Sequence, residues 1–114
     1  MRLPGRPRYG DVIQRQLALF DLEHRGLLVR IEEARLAYGR AGSDDAEELY
    51  GTYMDLVEEA EDDLLELRDH FALSMSAGDR DRYRREFSRA ARRRLPSLAA
   101  RRDYERTMDP DLDD

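Results

Sequence analysis

Two stretches of this chain carry apolar residues at the same alternating spacing. In the first, Ile13, Leu17, Phe20, His24, Leu27, Ile31, Ala34 and Tyr38 follow one another in steps of four and three. In the second, Ala46, Tyr50, Tyr53, Val57, Ala60, Leu64, Leu67 and Phe71 do the same. Such steps keep a single stripe on one face of an α-helix. A strand needs alternation every second residue, so neither stretch reads as one.

The two stripes also match each other. If the chain reverses at Gly42, Ile13 faces Phe71, Leu17 faces Leu67, Phe20 faces Leu64 and Leu27 faces Val57. Three further pairs set a ring against an alanine: His24 with Ala60, Tyr50 with Ala34, and Tyr38 with Ala46. Close packing needs this large-to-small complementarity, and a slipped register would oppose tyrosine to tyrosine. The pattern predicts an antiparallel hairpin about 40–50 Å long at 1.5 Å per residue.

Boundary signals divide the rest. Prolines and glycines in "MRLPGRPRYG" make residues 1–10 a flexible basic arm. Asp11 with Gln14 reads as a capping box opening the first helix, at about 11–38. Ser43 or Asp44 opens the second, at about 44–77, which Gly78 ends. Asp79 caps a third helix at about 79–95, and Pro96 starts a short C-terminal helix to about Arg106. Residues 11–106 form a single helical domain, and residues 107–114 a disordered acidic tail. The fold expected is all-α: a long coiled-coil-like helical hairpin, a basic third helix and a short fourth.

Apolar residues remain outside the stripes, among them Leu19, Leu22, Leu28, Val29 and Leu36. Charged residues make up 40% of the chain, as many as the hydrophobic ones, so the core is thin. The expectation is a homodimer that completes a four-helix core.

Composition narrows the chemistry. The chain has no cysteine, and all 20 of its basic residues are arginine. Disulfides, thiolate metal sites, cysteine nucleophiles and lysine Schiff bases are excluded. No nucleophile elbow, phosphate loop or zinc-protease motif occurs, so no enzyme and no cofactor are expected. No apolar run spans a bilayer and no leader segment stands out, which points to the cytoplasm.

Net charge is −6 but unevenly spread. The second helix is strongly acidic and residues 79–106 are strongly basic, so the chain can neutralise itself by folding one onto the other.

Three constellations invite function. His24 interrupts the first stripe. It reads as a polar seam residue that sets register, or as a pH switch with Glu59 or Asp63 beside it. Glu59, Asp63, Glu66 and His70 lie on one face of the second helix, as a carboxylate–histidine metal site in a bundle would. A solvated acidic edge needs the same spacing. The third helix sets Arg84, Arg85, Arg89, Arg92 and Arg93 around Tyr83 and Phe87. Arginines and aromatics dominate binding hot spots, so these seven residues are the expected contacts for an unidentified protein partner. The leading expectation is thus a small interaction or adaptor protein. One alternative is nucleic-acid association through the arm and residues 80–102. Another is the metal-binding bundle.

Overall fold

The structure, a computed structural model, describes residues 8–95. They form four helices: α1 (Gly10–Glu23), α2 (Arg25–Gly39), α3 (Ala46–Ala72) and α4 (Ala77–Arg94). The expected arm before Arg8, the short helix after Pro96 and the acidic tail lie outside the described residues. No described helix is long and apolar enough to cross a membrane.

The heptad stripes form the core. Ile13, Leu17, Phe20, Leu27 and Ile31 are buried from the first stretch, and Tyr53, Val57, Ala60 and Leu64 from the second. Ala34, Tyr50, Leu67 and Phe71 are half-buried against them. The hairpin reverses through residues 40–45, and near it the structure departs from the ring-against-alanine pairs expected there: the Tyr38 and Tyr50 rings meet each other at 5.2 Å.

The first helix departs from the expectation in one respect. It is two helices, divided at His24, whose backbone angles of φ −113° and ψ 22° fall outside the helical range. The His24 amide still donates to the Phe20 carbonyl, and its own carbonyl accepts from Leu28. The consequence is a change of partner. α2 packs along α3, as the hairpin requires, whereas α1 packs mainly against α4. α4 also packs against α3, so it closes the open end of the hairpin within one chain.

Tyr83 of α4 is the centre of that closure. It is fully buried, with the rings of Tyr9, Phe71 and Phe87 5.2–5.8 Å away. Its hydroxyl donates to the Gln16 side-chain oxygen at 2.7 Å. Burial, opposed by that hydrogen bond, pushes the phenol up to about 12.

Helix ends differ from the expected caps. The predicted Asp11 cap is not used: Tyr9 is the first flanking residue of α1, and no local side chain caps it. Glu86 of α4 fills the role. Its carboxylate accepts the Tyr9 amide at 2.8 Å, the Arg8 amide at 3.2 Å and the Arg82 Nε at 2.9 Å. A carboxylate here also suits the positive end of the helix dipole. α3 stops at Ala72, five residues short of the expected end. Arg80 reaches back to accept the role of terminator, donating to the Ala72 and Met75 carbonyls at 3.0 and 3.1 Å. Ser76, not Asp79, caps α4. Its hydroxyl accepts the Asp79 amide at 3.4 Å and donates to the Asp79 carboxylate at 3.1 Å. Ser76→Ala should lower the unfolding free energy by about 1 kcal/mol, read by urea denaturation. No measurable change would show that the cap is redundant with the Arg80 clamp.

Candidate functional site

The basic residues of α4 divide into two groups by what they touch. One group belongs to the fold. Arg80 holds the end of α3 and Arg82 pairs with the buried Glu86. Arg84 donates to Asp69 at 3.1 Å, where Arg68 also binds at 2.9 Å while reaching Ser88. Partial burial pushes the Asp69 carboxyl up, but Arg68 and Arg84 outweigh it and hold it below its ordinary value. Arg94 approaches Gln14 of α1 at 3.5 Å. Arg92 is half-buried and, with the buried Glu61, faces a cavity of about 20 Å³ between α3 and α4. That cavity has room for about one water molecule and none for an organic ligand.

The second group is Arg85, Arg89 and Arg93. All three are exposed, and among the described residues no hydrogen bond or ion pair engages them. They recur every four residues, so they form a row on one side of α4. The opposite side carries the buried Tyr83, Phe87, Ala90 and Ala91. Like charges one turn apart repel by about 0.2–0.5 kcal/mol per pair. Exposed Asp81 lies one turn before Arg85, but among the described residues no ion pair joins it to the row.

Of the seven residues expected to contact a partner, the structure therefore leaves three fully open. Tyr83 and Phe87 are each 0% exposed, so the aromatic half of the expected surface is core. The physical reason is that α4 closes the bundle in its own chain, and its only large apolar side chains are the ones that must do so. Arg84 is committed to Asp69 and Arg92 is partly covered.

The acidic stripe behaves differently. Glu59, Glu66 and His70 are exposed and Asp63 is half-buried. Among the described residues no three histidine, aspartate or glutamate side chains converge on a point that would hold a metal ion. Asp63 instead faces His24 across the hairpin, Oδ2 to Nε2 at 3.5 Å. The His24 ring stacks on Phe20 at 4.1 Å, and its Nδ1 donates to the Phe20 carbonyl at 3.1 Å. The register thus brings His24 to Asp63 beside the buried Ala60, as the paired stripes imply, while Glu59 stays in solvent.

Sequence reasoning overlooked Glu86, Gln16 and Arg80, three polar residues that hold the bundle closed. Their partners lie 77, 67 and 8 residues away. Only the Arg80 clamp had a local signal, an arginine just beyond a helix end. No family model, no curated protein and no solved structure matches this chain.

Proposed function

We propose that this protein is a non-enzymatic helical docking module that binds an acidic segment of a partner protein through Arg85, Arg89 and Arg93. The observation that carries the reading is the open row itself. The other five α4 arginines have partners in the fold, and these three stand together with no hydrogen bond or ion pair among the described residues. A guanidinium offers a planar fork of donors that matches a carboxylate in two places, which suits a row of arginines to Asp- and Glu-rich chain. The exposed carboxylates Asp55, Glu58, Glu59, Asp62 and Glu66 of α3, and the net charge of −6, oppose long-range attraction to any polyanion, and most of all to nucleic acid, the more densely charged one.

The test uses a fluorescent Glu/Asp-rich peptide and a fluorescent DNA duplex, followed by anisotropy. Peptide binding is expected to weaken by about tenfold in the Arg85→Ala, Arg89→Ala, Arg93→Ala triple variant, three exposed pairs being lost. Circular dichroism should be unchanged, because none of the three supports the fold. Tighter binding to the duplex than to the peptide would transfer the surface to nucleic acid. Equal peptide binding by parent and variant would remove this face from consideration.

A further inference from the structure

A second surface stands apart from the α4 arginines. Leu19, Leu22, Val29 and Leu36 are 54%, 66%, 52% and 44% exposed. They lie on the outer side of α1 and α2, away from the buried Phe20, Leu27 and Ile31. Leu22, Val29 and Leu36 recur every seven residues, and Gly26 falls on the same side, where an added Cβ would meet nothing within 4 Å. Leu19 and Leu22 belong to α1 and Val29 and Leu36 to α2, on either side of the division at His24.

The charges beside this stripe select an occupant. Glu23, Arg25, Arg30 and Glu32 flank it, and all four are exposed. Two copies of α2 laid antiparallel, with the two-fold axis between Leu27 and Leu28, set Gly26 against Val29 of the second copy. The same register brings Arg25 to Glu32 on one flank and Glu23 to Arg30 on the other, and symmetry doubles both pairs. A parallel pairing would bring Arg25 against Arg30 instead. Flanking charges of this kind choose orientation and partner in helical pairs.

We infer that the outer face of α1 and α2 is a self-association surface that pairs two copies of this chain antiparallel about that axis. Gly26 lets the two backbones approach opposite Val29. Within one chain Arg25 already lies near Asp21 at 3.9 Å and Glu32 binds Arg35, so the flanks are partly ordered before pairing. The register also sets the exposed Glu33 beside the apolar stripe. This contact and the short stripe place the dimer at the weak, reversible end of protein association. The surface is separate from α4, and the inference does not rest on the docking role proposed for the arginine row.

Sedimentation equilibrium of the full chain tests it, between about 1 and 500 µM, because weak interfaces dissociate in the micromolar range. A reversible monomer–dimer equilibrium is expected. Val29→Glu should weaken it by at least about 100-fold, since each substitution acts twice and buries a carboxylate. Arg25→Glu should weaken it by about tenfold through two lost and repelling pairs. Combining Arg25→Glu with Glu32→Arg should return the affinity to within about threefold of the parent, because the pair is restored with its signs exchanged. A monomer throughout the range would overturn the inference. So would a dimer that tolerates Val29→Glu, or a double exchange no better than Arg25→Glu alone. Circular dichroism of each variant checks the fold, which these exposed positions should leave intact.

Discussion

Phe87→Ala is expected to lower the unfolding free energy by about 3–5 kcal/mol, the usual range for deleting a buried phenylalanine. Phe87 is 0% exposed and lies against Tyr83, which is itself fully covered. Leu64 of α3 shares the cavity beside it. Removing the ring enlarges a gap where α4 meets α3, and the surrounding helices have few other large side chains to fill it. Domains of this size are stable by about 5–15 kcal/mol in total, so one substitution removes a large fraction. Urea denaturation followed at 222 nm reads the effect. A loss below about 1 kcal/mol would mean that α4 does not close the core as described. It would also reopen Phe87 as a contact for a partner, the role its neighbours in sequence suggested.

Glu86→Ala should cost about 2–3 kcal/mol at pH 7, since hydrogen bonds to charged groups contribute about 1.5–3 kcal/mol and their loss here strands covered donors. The carboxylate is 7% exposed and receives the Arg8 and Tyr9 amides together with Arg82. Burial alone would raise its pKa, but those donors outweigh burial and hold it below the ordinary value of 4.5. The sign of the pH effect follows. A carboxyl that binds its proton more weakly in the fold adds stability above 4.5, and that stability disappears as pH falls through the folded value. The difference in melting temperature between parent and Glu86→Ala should therefore be large at about pH 7 and small at about pH 3. A difference that stays the same at both pH values would show that the charge on Glu86 contributes nothing. Asp69, also held below its ordinary value, adds to the acid sensitivity of the parent in the same direction.

The heptad stripes made most of the core legible in the sequence. Helical periodicity is a local property, and the pairing of His24 with Asp63 followed from it across the hairpin. What escaped was the division at His24, because a histidine at a stripe position carries no signal of non-helical backbone angles. Once α1 leaves the line of α2, its stripe needs a different partner, and α4 supplies one. The arginine face was legible as a charge signal, but its use was not. Arg80, Arg82 and Arg84 look like Arg85, Arg89 and Arg93 in sequence. Arg82 has a local i,i+4 partner in Glu86, but only the positions of Ala72 and Asp69 in space separate Arg80 and Arg84 from those that face solvent. Tyr83 and Phe87 show the same limit, since an aromatic on a short basic helix suits a core and an interface equally well.

The bond between Tyr83 and Gln16 joins residues 67 positions apart, and it bears on how the chain is made. α2 and α3 are joined by a short turn and can pair as soon as both have emerged from the ribosome. α1 is made first but finds α4 last. At about 5–20 residues per second, Gln16 waits about 3 to 13 seconds for Tyr83 to be synthesised. Throughout that interval Ile13, Leu17 and Phe20 have no final cover, so the nascent chain passes through a stage that invites chaperones. A ribosome that stalls before residue 83 leaves a half-built protein with its earliest helix sticky and unclosed.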